Sequence, residues 1–255
     1  MKLTKELAQK VRDTVDAGLT KGLGRPKPGQ MCVEAAVNYA MGLPHNDNPM
    51  CVGGAVRRFK ITLNDSNLWS SNTARAKGLR RVAIAQLGSD KLDQRAFVNK
   101  LMFETIKQII PIAMRNTIVK SPHIADEFER LAIACEVAVN LDTAKDASRN
   151  AYAAYAYNNH TDYANRVNFA VYGGYSNSNF NHYIKCAFIS NPDHESVPAD
   201  TNAADAAAAA SNVACTSSNR DKILTLSAEI AVQVLIEMGC QGCEWLDLVP
   251  LSESE

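Results

Sequence analysis

The sequence has no excess of either charge. Its 255 residues include 27 lysines and arginines and 27 aspartates and glutamates, which gives a formal net charge of +0. This balance argues against a general nucleic-acid coat protein and against a polybasic membrane binder, because both need a cationic surface. A hydrophobic content of 46% excludes disorder over the whole chain. We therefore expect one or two compact domains.

Long apolar runs are also lacking. The first residues carry charges from Lys2 to Asp16 without an apolar stretch, and no later segment approaches the length that spans a bilayer. Seven cysteines, an odd number spread over the chain, fit reduced thiols better than a disulfide framework. The sequence predicts a cytoplasmic protein without a membrane partner.

The common catalytic motifs are missing as well. There is no P-loop, no G-x-G-x-x-G, no G-x-S-x-G and no His-Glu-x-x-His. No helix carries the Glu-x-x-His pattern of a di-iron bundle. We expect no cofactor, no resident metal and no catalytic residue, and we lean against an enzyme.

Helix signals are present along most of the chain. The predicted helices cover Leu3 to Val15, Met31 to Met41, Val52 to Lys60, Asn72 to Leu87, Asp93 to Ile110, residues 122–139, 203–214 and 219–238, with Ala/Tyr-rich helical hairpins over 142–190. Lys60 to Leu63 is alternatively extended, and the residues after Gly239 are expected to form an irregular tail. The fold class is all-α, a multi-helix bundle with an Ala/Tyr-rich C-terminal half.

Two parts of the chain differ in composition. Residues 1–140 form an N-terminal helical part with a candidate ligand pocket, and residues 141–255 form the Ala/Tyr-rich helical part. Because the last helix has enough apolar residues to pack on the first part, a single continuous core is the alternative to two domains.

The strongest local signal is a basic cluster between Arg57 and Arg81. It has seven basic residues and one acid, and residues suited to helix-end donation or base stacking accompany it. The candidate ligand-binding residues are Arg57, Arg58, Lys60, Asn64, Asp65, Trp69, Ser71, Asn72, Arg75, Arg80 and Arg81. On a 3.6-residue helix Arg75 lies on the inward stripe with Leu79 and Gln86 and needs a partner.

Two interpretations of this cluster stay open. In the first, the charges hold an anion, and Arg75→Ala abolishes binding without unfolding the chain. In the second, Arg75 is paired internally, with Glu34 or Asp65, and the acidic C-terminal segment from Asp221 onward lies over the basic cluster. Under the second interpretation no ligand is implied.

A second set of candidates is Cys32, Glu34, His45, Asp47 and Cys51. Zinc accepts such ligands, and a Cys–His pair with a carboxylate makes a nucleophile. A buried thiol on the face shared with Ala36 and Tyr39, opposite Glu34 and Asn38, is the structural alternative. Cys240 and Cys243 form the one close cysteine pair, but the pair follows a helix end, which disfavours redox or metal use.

Most of the chain resembles a family of bacterial and phage proteins of uncharacterised function, and the resemblance is specific in residues 29–88. The shared pattern is Met-Cys-x-Glu-Ala, a Gly-x-Pro-His-x-Asp-x-Pro-x-Cys turn, Leu-Asn-Asp before Trp-Ser-Ser-Asn, and a C-terminal Gly-Cys-x-Trp-Leu-Asp-Leu. Here these are Met31 to Ala35, Gly42 to Cys51, Leu63 to Asn72 and Gly242 to Leu248. The resemblance implies no activity. The shared pattern includes Cys243 but not Cys240, which further disfavours a redox role for this cysteine pair. The resemblance also allows that the gene is carried by a phage.

Three functions follow as hypotheses. The first is a non-enzymatic helical protein that binds an anionic, phosphate-bearing small molecule, in a concrete version a phage protein that sequesters a nucleotide immune signal. The second is a hydrolase that uses Cys32 or His45 with Glu34 or Asp47. The third is a protein interaction module, with a homodimer formed through the Ala/Tyr-rich half.

Overall fold

The protein is all-α, as the sequence predicts. A computed structural model describes residues 2–119, 122–161, 204, 207–208, 210–212 and 214–251. The α-helices with described bounds are α1 (Lys5–Asp16), α2 (Val33–Ala40), α3 (Gly54–Asn64), α4 (Asn72–Ala85), α5 (Gln94–Gln108), α6 (Ile110–Ile118), α7 (Ala125–Glu136), α8 (Leu141–Thr161) and α9 (Arg220–Glu237). Short 3-10 helices cover Ser89–Lys91, Pro122–Ile124 and Gln241–Leu248. Within these residues β pairing is limited to one isolated antiparallel bridge between Gly24 and Met31.

Local capping chemistry sets several of the helix ends. Ser71 Oγ accepts a hydrogen bond from the Ala74 N–H at 3.0 Å at the start of α4, and Asp93 Oδ1 accepts one from Ala96 N–H at 3.0 Å at the start of α5. Gly88, just after α4, has a φ of 90°, the left-handed conformation that ends a helix readily at glycine. Pro111 falls in the first turn of α6 and separates it from α5. These predicted boundaries are confirmed.

Two expectations about the chain path are wrong. Residues 60–63 continue α3 through Asn64 rather than becoming extended. The segment after Gly239 is not irregular, because Gln241–Leu248 forms a 3-10 helix. The predicted hairpins beyond residue 161 and the loop at 191–202 lie outside the described residues.

The face that α2 buries also differs from the prediction. Glu34 and Asn38 are buried, whereas Tyr39 keeps 45% of its surface exposed. Asn38 Nδ2 donates to the Asn46 carbonyl oxygen at 2.8 Å, which holds the turn 42–51 against α2. The polar face of α2 is buried because Glu34 and Asn38 have polar partners inside the fold.

Helix α4 lies at the centre of the molecule. It packs against α1, α2, α9 and the 3-10 helix Gln241–Leu248, while α5 packs on α3 and α9 and on α6, α7 and α8. Most buried apolar residues from Leu3 to Val249 belong to one hydrophobic cluster, so the last helix packs into the first half of the chain, and Met31, Cys32 and Ala35 form a second, small cluster. None of the helices in the described part combines the length and hydrophobicity needed to cross a membrane.

Candidate functional site

A buried ion pair lies at the centre of the region that carries the candidate residues. Lys60 Nζ on α3 is 3.1 Å from Glu34 Oε1 on α2, and neither side chain has any exposed surface. Gln86, just after α4, donates from Nε2 to Glu34 Oε2 at 3.4 Å. Burial raises the pKa of Glu34 and lowers the pKa of Lys60, and the attraction between the two offsets part of each shift. Lys60 was predicted to bind a ligand, but its ammonium group is paired with Glu34 in the core.

The hydrogen bonding of this pair is incomplete. The 3.1 Å contact between Lys60 Nζ and Glu34 Oε1 lacks hydrogen-bond geometry, and Gln86 Oε1 has no partner among the described residues. Buried polar groups left in this way are usually completed by an ordered water. The ion pair is therefore held mainly by charge and by the packing of α2, α3 and α4.

Arg75 points inward, as its position on α4 predicts. Its Nη1 donates to the Leu19 carbonyl oxygen at 3.2 Å and to Asn72 Oδ1 at 2.5 Å. Burial lowers the pKa of Arg75, and the nearby charge of Asp65 acts in the opposite direction. Glu34, the other expected partner, is paired with Lys60 instead. Arg75 thus ties α4 to the loop after α1.

Arg80 and Arg81 have acidic partners from distant parts of the chain. Arg80 Nη2 lies 2.8 Å from Asp16 Oδ2 on α1. Arg81 Nε lies 2.9 Å from Glu229 Oε2 on α9, and its Nη1 donates to the Val249 carbonyl oxygen at 2.5 Å. The acidic C-terminal segment therefore does cover part of the basic cluster, which is the second interpretation of these charges.

The polar residues before α4 hold the chain together locally. Asn64 Nδ2 donates to the Thr20 carbonyl oxygen at 3.0 Å, and Asp65 Oδ1 accepts from the Gly22 N–H at 2.8 Å. Ser71 caps α4 and Asn72 accepts from Arg75. The donors and acceptors expected to face a ligand are used to fix the loop after α1 and the start of α4.

Trp69 does not present its ring to solvent. Only 5% of its surface is exposed, and its Nε1 donates to the Leu63 carbonyl oxygen at 2.9 Å. The ring packs over Gly78, where an added Cβ would lie 2.4 Å from Trp69 Cη2. The expectation of a stacking surface is wrong, because the indole fills the space between α3 and α4.

The structure holds the Cys/His candidates in separate contacts within the part of the chain that it describes. Cys32 Sγ accepts a hydrogen bond from the Ala35 N–H at 3.4 Å, and burial raises its pKa to about 11. Cys51 Sγ lies 3.8 Å from Met41 Sδ, and burial raises the pKa of this thiol too. His45 Nε2 is 3.2 Å from the Gly24 carbonyl oxygen. No group of three or more His, Cys, Asp or Glu side chains in the described residues is placed to hold a metal ion.

The thiol chemistry of Cys32 gives a direct test. A pKa raised from 9.0 to about 11 lowers its thiolate population at neutral pH by about 100-fold. We expect Cys32 in the folded protein to react with iodoacetamide at pH 7.5 at least about 100-fold more slowly than in protein unfolded in urea. Peptide mass spectrometry at timed intervals measures both rates. Equal rates in the two states would return Cys32 to the list of nucleophiles.

Arg57 is a surface member of the basic cluster, and its described partner is neutral. Its guanidinium donates to Asn48 Oδ1 in the turn 42–51. The side chain is half-buried, whereas Arg75, whose hydrogen-bond partners are also neutral, is buried. The neighbouring Arg58 is exposed and has an interaction of its own.

Sequence reasoning missed most of the partner groups. Asp16, Glu229 and the Leu19 carbonyl carry no local signal that links them to an arginine. Gln86 did carry one, because it shares the inward stripe of α4 with Arg75, and an inward polar residue needs a buried partner. Comparison of the chain with protein-family models, with curated proteins and with solved structures finds no match.

Proposed function

We propose that the chain is a non-enzymatic helical protein that binds an anionic, phosphate-bearing small molecule at the surface around Arg57. The observation that carries the proposal is the neutral partner of Arg57. Lys60, Arg80 and Arg81 are paired with carboxylates, whereas the described partner of the Arg57 guanidinium is the neutral Asn48 amide. Guanidinium groups bind phosphate through paired hydrogen bonds.

Three segments meet around this residue and form what we call the loop–turn surface, made of residues 21–31, the turn 42–51 and the first turns of α3. The hydrogen bond between His45 and the Gly24 carbonyl joins the loop to the turn, and the Arg57–Asn48 hydrogen bond joins α3 to the same turn. The loop adds Arg25 and Lys27, both exposed. Their charges favour an anion at this surface.

Exposed apolar side chains accompany these charges. Leu23, Tyr39 and Met50 are exposed by 42%, 45% and 75%. Leu23 lies beside the start of α2, since its carbonyl oxygen accepts from the Cys32 N–H at 3.3 Å. A ligand with a phosphate group and an apolar or aromatic moiety matches such a mixed surface. The nucleotide version of the proposal, sequestration of an immune signal by a phage protein, rests on the sequence resemblance.

The chemistry of the buried groups supports a binding protein over a hydrolase. Cys32 is buried with a raised pKa, and Glu34 is neutralised by Lys60. A general base or nucleophile must reach its substrate, and neither side chain reaches the surface. The hydrolase hypothesis loses two of its proposed residues.

Substitution of Arg57 tests the proposal. We expect Arg57→Ala to weaken binding of ATP and of inorganic pyrophosphate by about 10- to 100-fold, the effect of losing charge-assisted hydrogen bonds. Lys77→Ala is the matched control, because Lys77 is an exposed cation on α4 and its loss changes the net charge equally. Isothermal titration calorimetry at two salt concentrations measures the affinity of the unmodified protein and of each variant for both ligands.

The outcomes separate specific binding from general attraction. Equal weakening by Arg57→Ala and Lys77→Ala would show nonspecific attraction, and no heat with the unmodified protein would reject the anion site. Arg57→Lys is expected to recover only part of the affinity, because an ammonium lacks the planar pair of donors.

A second candidate function is self-association next to the Ala/Tyr-rich half. Val137 and Val139, between α7 and α8, are 66% and 81% exposed, and Ile133 on α7 is 46% exposed. Exposed apolar residues that cluster in this way favour a protein interface. The alanines of α8 at 144, 147 and 151 are buried within the chain itself, so the interface is placed at the residues before them.

The dimer prediction has a simple readout. We expect the unmodified chain to dimerise and the double variant Val137→Asp with Val139→Asp to be monomeric at the same concentration, because two buried carboxylates oppose an apolar interface. Light scattering after size exclusion measures both masses. A monomeric unmodified chain, or a double variant that still dimerises, would remove this candidate.

A further inference from the structure

Cys240 and Cys243 lie in one turn that follows α9. Cys240 is the N-cap of the 3-10 segment Gln241–Leu248, which is kinked at Trp245. The Cys243 N–H donates to the Cys240 carbonyl oxygen at 3.0 Å. Because side chains three residues apart lie on the same side of a 3-10 turn, this turn brings the two side chains to one side of the backbone.

The pair is fixed against the end of α4. Cys240 Sγ lies 3.5 Å from the Leu87 carbonyl oxygen, and Cys243 Sγ lies 3.8 Å from the Ala85 carbonyl oxygen. The Gly242 N–H donates to the Leu87 carbonyl oxygen at 2.7 Å. An added Cβ at Gly242 would lie 2.1 Å from the Ile84 carbonyl oxygen, so only glycine allows this approach. The geometry is held by backbone contacts rather than by the thiols alone.

The two sulfurs differ in access and in acidity. Cys240 is 2% exposed, whereas Cys243 is partly exposed. Interaction with the Cys243 thiol lowers the pKa of Cys240, and the N–H groups of Gly242 and Gln241 act in the same direction. Interaction with the Cys240 thiol raises the pKa of Cys243. Cys243 is therefore the more accessible of the two residues, and Cys240 is the better thiolate.

We propose that Cys240 and Cys243 form a redox site that a low-molecular-weight disulfide of the glutathione type converts to an intramolecular disulfide. The exposed Cys243 thiol loses its proton to water and attacks the small disulfide, which gives a mixed disulfide and releases one thiolate. The Cys240 thiolate then attacks Cys243 Sγ and releases the second thiolate. One small disulfide is reduced to two thiols while two protein thiols become one disulfide, so electrons and atoms balance.

The other described cysteines, Cys32, Cys51, Cys135 and Cys215, have no second cysteine within four residues in the sequence. A mixed disulfide formed at one of them has no thiol of the same turn to resolve it. An intramolecular disulfide is therefore expected at residues 240 and 243.

The test is equilibration of the folded, reduced protein in mixtures of reduced and oxidised glutathione, followed by acid quench, alkylation and peptide mapping. We expect a linked Cys240–Cys243 peptide with an equilibrium that follows the glutathione ratio. Cys240→Ser should stop at a stable glutathione adduct on Cys243, because the resolving thiol is gone. Cys243→Ser should give no adduct on the buried Cys240 at the same ratio.

Circular dichroism on each sample confirms that the reacting species is folded. Free thiols at 240 and 243 in fully oxidised glutathione would overturn the proposal. An adduct on Cys243 that persists in the unmodified protein would do the same, since it would show that Cys240 does not resolve it. This site is independent of ligand binding around Arg57, so the failure of one proposal leaves the other standing.

Discussion

Lys60→Met is expected to lower the free energy of unfolding by about 3–5 kcal/mol, the usual result of removing one partner of a fully buried ion pair. The loss arises because Glu34 stays in the core without a cation, with Gln86 Nε2 at 3.4 Å as its remaining described donor. Urea titration followed by circular dichroism measures the change from the midpoint and the slope.

The matched control is Lys100→Met. Lys100 Nζ lies 2.8 Å from Glu237 Oε2, but both side chains are about half exposed, so its loss should cost less than about 1 kcal/mol. The double variant Glu34→Leu with Lys60→Met should recover most of the stability, because an apolar pair needs no charge partner. A Lys60→Met loss no larger than the Lys100→Met loss would contradict the buried pairing.

The Lys60→Met loss should also depend on pH. Without Lys60 the carboxyl of Glu34 is left with burial, which raises its pKa above the ordinary 4.5. The folded state then holds its proton more tightly than the unfolded state. Stability is therefore retained below pH 4.5 and falls as the pH rises from there through the folded pKa. We expect a smaller loss at pH 4.5 than at pH 7.5, and an equal loss at both would exclude Glu34 as its cause.

Helix boundaries could be predicted from the sequence because the signals that set them are local. Ser71 and Gly88 lie next to the ends of α4, and Pro111 lies inside the first turn of α6. The 3-10 helix after Gly239 could not be predicted in this way. It is fixed by the Gly242 N–H to Leu87 carbonyl hydrogen bond, and no local pattern places those two residues together.

The charge pairing could be predicted only as an alternative. The partners lie 52 residues apart for Glu34 and Gln86, 64 for Arg80 and Asp16, and 148 for Arg81 and Glu229. A cluster of basic residues indicates that negatively charged partners lie nearby. The sequence does not distinguish a carboxylate of the same chain from a bound anionic ligand as that partner. The inward position of Arg75 was predictable, since helix periodicity fixes it, while its partner Leu19 is a backbone group without a sequence signal.

The candidate site is reduced to the surface around Arg57 because of how the other cations are paired. Arg80 and Arg81, on the flanking sides of α4, find carboxylates on the helices packed around it, from α1 on one side and α9 on the other. Arg57 lies on α3 beside the turn 42–51, where the Asn48 amide oxygen accepts from it. Whether a cation pairs with a carboxylate of the chain or stays accessible to a ligand thus depends on which element packs beside it.

Trp69→Ala is expected to lower the free energy of unfolding by about 3–5 kcal/mol, as for other large aromatic residues removed from a core. The ring is buried between α3 and α4, and its loss leaves a cavity and removes the indole hydrogen bond to the Leu63 carbonyl oxygen, which still accepts from the Ser66 N–H at 3.3 Å. Trp69→Phe should cost about 1 kcal/mol, because it keeps a ring and loses the indole hydrogen bond. Both variants should keep the pyrophosphate affinity of the folded protein, since Trp69 is not part of the loop–turn surface.

A double-mutant cycle between Trp69 and Gly78 tests whether the Trp69→Ala loss of stability comes from packing of the indole on Gly78. In the unmodified protein the Cβ of Gly78→Ala would lie 2.4 Å from Trp69 Cη2, so overpacking of about 1–3 kcal/mol should exceed the gain in helix propensity. In the Trp69→Ala background the ring is absent and the remaining close approach of the added Cβ is to Thr225 Oγ1 at 2.7 Å. Gly78→Ala should therefore cost less there than in the unmodified protein, which makes the two substitutions non-additive. Gly54→Ala is the control, because its Cβ meets nothing within 4 Å. Additive effects at positions 69 and 78 would mean that the indole does not occupy the groove over Gly78, and Trp69 would again be a candidate for ligand contact.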